Sequence, residues 1–306
     1  HEARTLEGFL ARGTNDKKGV VAFFNVYAQG NDYQGIVQNQ VNTIKGSGLL
    51  NMLDNVYYAT MGSAGKDYDI GNNEKYVHID HYGDEGTELQ TLSLLHRFCR
   101  SNPESKVLYF HGKGSYHHTY ANAKFCSVLN CYVLNPHCIE ALDTHDTCGW
   151  RISPTPHPHY SGNFWWARCA YVNTLIDPMA PINNQTFIEE AKALPCSSLD
   201  SHSFAETWVG TGPTILPADC MNSTVDDSYL WGYRFPYTAD AYCHGAEKPS
   251  GLPCQTASTL VDAEQFRNAI VRADSLIPQE ACRNNRAEIT KRSFMMYGEA
   301  PHSYLD

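Results

Sequence analysis

The chain has 306 residues and a formal net charge of −10, with a pI near 5.7. That length suits one large α/β domain, or a domain of about 200 residues with an appendage, and the acidic balance speaks against a nucleic-acid partner, whose phosphates would need a basic surface. No run approaches the ~18 consecutive apolar residues of a membrane helix; the richest, residues 20–28, is strand-length and contains Asn25.

Eleven cysteines are many for this length, and none forms the CxxC pair of a structural zinc site, so disulfides are the expected use. Sequons at Asn184 and Asn222 are expected glycosylation sites and point to the same oxidising, secretory route. An odd cysteine count leaves one thiol over, free or paired with a second chain. The sequence starts at His1 and not at Met, which leaves room for a removed signal peptide or anchor.

In chain order, residues 19–28 read as a buried parallel strand, being apolar, β-branched and aromatic. Residues 33–45 carry Ile36, Val37, Val41 and Ile44 at helical spacing, with Asp32 as the expected N-cap. Residues 46–48 (Gly-Ser-Gly) stop that helix, and residues 55–61 form the next strand, which completes a βαβ opening. The loop 62–73 contains Asp67 and Asp69, one residue apart. Such a pair either binds a divalent cation that bridges a diphosphate or is solvated turn chemistry.

A third strand is expected at residues 76–81 and a helix at 85–98, with Leu89, Leu92, Leu95 and Phe98 on one side. The fourth strand, 106–110, runs straight into His111, Gly112, Lys113 and Gly114. In open α/β sheets ligands lie beyond the carboxyl ends of the strands; two glycines let backbone amides approach a ligand, and Lys113 supplies a charge for phosphate. The spacing fits neither the Walker nor the dinucleotide pattern, and a plain turn with a surface lysine is the competing reading. Residues 116–150 read as mainly helical. No His-Glu-x-x-His spacing supports a metallohydrolase.

Residues 157–168 compress two histidines, a tyrosine, an Asn and two adjacent tryptophans around a glycine. One reading is a pocket wall for a polar ligand, with stacking rings and convergent hydrogen-bonding groups. The other is a core strand whose alternating side chains are buried. Farther on, Ser203 reads as a helix N-cap with Glu206 at the capping-box position. Residues 216–306 read as a cysteine-rich loop followed by two helices and hold no legible chemical motif.

Three segments taken together resemble a glycosyltransferase family of bacterial surface-polysaccharide, algal and viral origin. They are Tyr-Phe-His-Gly-Lys-Gly at 109–114, His-Tyr-Ser-Gly-Asn-Phe-Trp-Trp-Ala at 159–167 and Ala-Glu-Thr-Trp-Val-Gly at 205–210. Glu88, Thr91, Leu92 and Leu95 in the preceding helix match as well. The resemblance implies a GT-A-like domain over residues 1–215, with a single Rossmann-type, mostly parallel sheet and flanking helices, and leaves 216–306 as a disulfide-rich extension. It implies a nucleoside-diphosphate sugar donor and a glycan or glycoprotein acceptor in the Golgi or endoplasmic-reticulum lumen, or outside the cell. His111, Gly112, Lys113 and Gly114 would bind the donor, with His111 and Lys113 acting on the leaving diphosphate. His159, Ser161, Gly162, Asn163, Trp165, Trp166 and Trp208 would bind the acceptor, and Glu206 would be the base. Such enzymes often carry an Asp-x-Asp turn after the strand that ends here at Phe110; its absence leaves a manganese requirement open. A competing expectation is a secreted, catalytically silent protein that keeps this fold as a lectin-like or assembly module.

Overall fold

A computed structural model describes residues 18–29, 32–71, 73–113, 115, 126, 129–150, 152–153, 159–180, 201–213 and 215–219. Strand β1 (Val20–Tyr27) is buried along almost its whole length, as a strand with both faces covered must be. Its adjacent phenylalanines divide between the two sides of the sheet. Phe24 packs with Val37, Val41 and Ile44 of helix α1 (Tyr33–Gly46), and Phe23 packs with Leu89, Leu92, Leu95 and Phe98 of helix α2 (Glu88–Ser101). The result is a sheet between two helical layers.

The layering follows from strand order. Strands β2 (Asn55–Met61), β3 (Tyr76–His81) and β4 (Lys106–His111) are parallel to β1 in the order β3-β2-β1-β4. The chain steps outward from β1 to β3, then returns past β1 to β4. Right-handed crossovers in these opposite directions put α1 and α2 on opposite faces.

Beyond β4 the sheet becomes mixed. Strand β8 (Trp165–Arg168) is antiparallel to both β4 and β5 (Thr147–Gly149), and β9 (Pro217–Asp219) pairs parallel with β5. A separate hairpin joins β6 (Ile152–Ser153) to β7 (His159–Tyr160). Two disulfides whose cysteines both lie among the described residues serve this half. Cys99 of α2 is bonded to Cys169 at the start of helix α4 (Cys169–Val172), and Cys138 of helix α3 (His137–Ala141) is bonded to Cys148 of β5. Cys131 is disulfide-bonded too. The free cysteine among the described residues, Cys126, is buried, so it is poorly placed to link a second chain.

Strands β1 to β4 and helix α1 agree with the sequence reading to within a residue or so. Helix α2 starts at Glu88 and not at 85, because Thr87 and Gln90 form a reciprocal capping box there. Asp32 precedes α1 without a side-chain cap bond. Ser203 is not a cap: helix α5 (Ser201–Thr207) begins two residues earlier, so Glu206 lies near its end. The stretch 116–150 contains β5 as well as helix. Through β9, the sheet continues to Asp219, past the expected boundary at 215. No helix among the described residues is long and apolar enough to cross a membrane. The expected helices within 257–297, the sequons at Asn184 and Asn222, and Gly114 lie outside the described residues.

Candidate functional site

Strand β1 has β2 on one side and β4 on the other, so the turns that leave β1 and β4 diverge above the sheet. This is the switch point at which open α/β sheets hold ligands. The turn after β4 is braced from below. The Gly112 amide donates to the Asn25 carbonyl at 2.9 Å, and Gln40 Nε2 of α1 donates to the His111 carbonyl at 2.8 Å. A Cβ on Gly112 would meet nothing nearer than Ser115 Oγ at 3.7 Å. Packing among the described residues does not demand glycine here.

Lys113 and Glu206 meet at this switch point. Lys113 Nζ lies 3.5 Å from Glu206 Oε1, with side-chain exposures of 21% and 32%. Both remain reachable from solvent. Glu206 is carried by α5, which packs against α2 through the buried Phe204 and Ala205.

Beneath the turn is a polar network. The carboxylate of Glu88, the first residue of α2, accepts from the Tyr109 hydroxyl and from Asn163 Nδ2 through Oε2, each at 2.8 Å. Its Oε1 faces His111 Nδ1 at 3.5 Å. His111 Nε2 donates to the Gly162 carbonyl at 3.0 Å, and Trp165 Nε1 donates to Asn163 Oδ1 at 2.9 Å. The start of a helix is a favourable place for a carboxylate, and a buried one needs such donors. Burial pulls the His111 imidazole below its ordinary value, with Glu88 pulling the other way. The Tyr109 phenol is pushed far up by burial and by the neighbouring Glu88 charge. Cys126, whose thiol donates to the Lys113 carbonyl, is pushed up to about 11 by burial.

The acceptor-side tryptophans behave differently from expectation. Trp165, Trp166 and Trp208 are wholly enclosed, and a ring with both faces packed offers none to a sugar. Trp166 Nε1 donates to the Val133 carbonyl and Trp208 Nε1 to the Ile176 carbonyl. The expectation that these three bind the acceptor is not met by their placement: their rings are core. Asn163 is also enclosed and takes a left-handed backbone with φ 57°, which Asn tolerates better than most residues. Its side chain serves the network, not a ligand. His159, Ser161 and Gly162 stay half-buried and remain the accessible part of that wall.

Asp67 and Asp69 are exposed, and Asp69 Oδ1 accepts from the Gly71 amide at 3.0 Å, an ordinary turn bond. No three His, Cys, Asp or Glu side chains converge on one point among the described residues. No metal ligand set is assigned.

Glu88 entered the sequence analysis only as a helix position matched by the resemblance, with no role in the site. Apart from that match its local signal is an acid opening a helix, which is common; what makes it central is its contacts with Tyr109, His111 and Asn163, which are distant in sequence.

Residues 23–302 match the family described as a domain of unknown function, DUF8361. The chain belongs to DUF8361. The match runs through most of 216–306, so the C-terminal third is part of the DUF8361 pattern and not foreign to it. No curated protein and no solved structure matches this DUF8361 member.

Proposed function

We propose that the chain is a glycosyltransferase of the GT-A type that moves a sugar from a nucleoside-diphosphate donor to a glycan or glycoprotein acceptor. The observation that carries this reading is the approach of Lys113 to Glu206, at 3.5 Å, over the switch point of a doubly wound sheet. A cation fit for a diphosphate and a carboxylate fit for a hydroxyl proton stand where donor and acceptor would meet. The three-segment sequence resemblance supports the same assignment.

In an inverting transfer the acceptor oxygen attacks the anomeric carbon, and the bond from that carbon to the diphosphate breaks with its electrons on the phosphate oxygen. Glu206 takes the acceptor hydroxyl's proton. Lys113 and the turn around Gly112 stabilise the charge growing on the leaving group. In a retaining transfer Glu206 would only orient the acceptor. His159, Ser161 and Gly162 form the acceptor wall in either case. The Cys99–Cys169 and Cys138–Cys148 disulfides are compatible with a secreted or lumenal protein, and a Golgi or endoplasmic-reticulum site is part of this proposal.

Enclosure of all three tryptophans favours one other reading, a silent module that keeps the fold without turnover. A thermal-shift panel of nucleoside diphosphates and nucleotide sugars, with and without manganese, separates the two. Stabilisation that disappears in Lys113→Ala, together with slow sugar-nucleotide hydrolysis that disappears in Glu206→Gln, is the expected result. Binding without hydrolysis would point to the silent module, and no response to any nucleotide would remove the donor site.

A further inference from the structure

Asn25 is the polar exception in the apolar, buried strand β1. Only 3% of it is exposed, and a buried carboxamide is stable only when both of its ends find partners. One end is provided for: Thr91 Oγ1 of α2, itself wholly enclosed, donates to Asn25 Oδ1 at 2.7 Å. The other end is Nδ2, which carries two hydrogens to donate. It has no partner among the described residues, yet, unlike Gln40 Oε1, it is not one of the unpaired side-chain atoms sealed from solvent.

The neighbours of Asn25 set the direction in which that nitrogen is open. Strand alternation puts Asn25 on the same face of the sheet as Phe23, and there Phe23, Ala59, Leu89, Leu92 and Tyr109 are all fully enclosed. Asn25 stands beside Ala59 of β2 and His111 of β4, and its carbonyl accepts from the Gly112 amide. Below and to the sides the packing is shut. What is left is the way out past the ends of β1 and β4, towards the switch point where Lys113 and Glu206 meet.

We propose that Asn25 is a ligand-binding residue of this site, that its Nδ2 donates to a hydroxyl oxygen of the sugar carried by the donor, and that Thr91 is the positioning residue that keeps the nitrogen of the carboxamide outward. This inference rests on the donor-site reading above. Charge decides for the sugar over its diphosphate. Lys113 is the cation of the turn, whereas Glu88, one helical turn before Thr91 on the same side of α2, brings a carboxylate to 3.5 Å from His111, the neighbour of Asn25 across β1 and β4. A neutral hydroxyl tolerates that charge beside it, and a phosphate is repelled by it.

Nitrogen NMR of the whole chain, labelled at asparagine, is combined with binding measurements on a panel of nucleotide sugars and the matching nucleoside diphosphates. In the ligand-free protein the side-chain NH2 of Asn25 is expected to exchange with water as an open amide, and its signal should move when a nucleotide sugar binds but not when the matching diphosphate does. The nucleotide sugar should bind more tightly than the diphosphate. Thr91→Val is expected to cut that advantage about fivefold, the worth of one hydrogen bond, with the affinity for the diphosphate unchanged, and Thr91→Ser, which keeps the hydroxyl, should restore it. An NH2 protected from exchange in the free chain overturns the proposal. So does a nucleotide sugar that binds without moving the signal, since the amide then serves only a water; both wild-type results decide even if no variant folds, and both leave the donor site standing. A panel in which no nucleotide binds removes the donor site and this inference with it.

Discussion

The sheet has two halves built on different principles. From β3 to β4 the strands are six to eight residues long, parallel and apolar, with an amphipathic helix over each face. From β8 to β9 they are three or four residues long, mixed in direction, and joined to the rest by disulfides. Long strands bury enough side chain to hold themselves, at roughly 1.5–3 kcal/mol for each large apolar residue. Short ones depend on cross-links that limit the unfolded chain.

Removing the cross-links should expose this difference most. Replacing Cys99 and Cys169 together by Ala opens a bridge with a sequence separation of 70 and is expected to lower stability by about 4 kcal/mol in denaturant titrations. Hydrogen exchange should then show the β8 and β5 amides losing protection before those of β1 and β2; uniform loss would break the comparison. The same treatment of Cys138 and Cys148, separated by 10 residues, should cost about 3 kcal/mol and act on β5 and α3 first.

The parallel half has finer handles. Thr87→Ala removes the capping box of α2 and should cost about 1 kcal/mol, read as a shifted urea midpoint with unchanged slope. Acid should act there too. Burial holds His78 of β3 and His96 of α2 below the ordinary imidazole value, so on acidification the unfolded chain takes up protons first. Their contribution to stability is present above about pH 6.5 and is lost as pH falls through their depressed folded values. Thermal midpoints at pH 7.5 and 5.5 should differ in that sense, and by less in His96→Gln. Smallest of all, Lys113→Ala breaks a partly exposed pair and should change stability by less than about 1 kcal/mol, even though nucleotide binding is expected to vanish.

The parallel half was legible in the sequence and the mixed half was not, for reasons that lie in the chain. Residues 20–27 and 55–61 are largely apolar, β-branched and aromatic runs between polar turns, with Asn25 and Thr60 as polar exceptions inside them, and α1 repeats its apolar side chains at helical spacing. By contrast, β5 is Thr-Cys-Gly, too short to show a period. The tryptophan pair was read by strand alternation, which predicts one ring on each face. That prediction holds, with Trp165 in one cluster and Trp166 in the other. What alternation could not show is that both faces are covered. Lys113 stood out because turns after strands are where chemistry collects, whereas Glu206 was singled out by the sequence resemblance alone. Glu88 was hidden because its partners, Tyr109, His111 and Asn163, come together only on folding.

The Cys99–Cys169 bridge has a further consequence, for how the chain reaches its native state. It stands at the foot of the β4 and β8 pairing, one residue beyond the match of Lys106 with Arg168. If β8 slipped by one residue, Trp165 and Trp166 would exchange faces and Cys169 would be carried away from Cys99. Bridge formation therefore proofreads the register: in oxidative refolding, a chain that has closed this bond has already sent each tryptophan to its proper side.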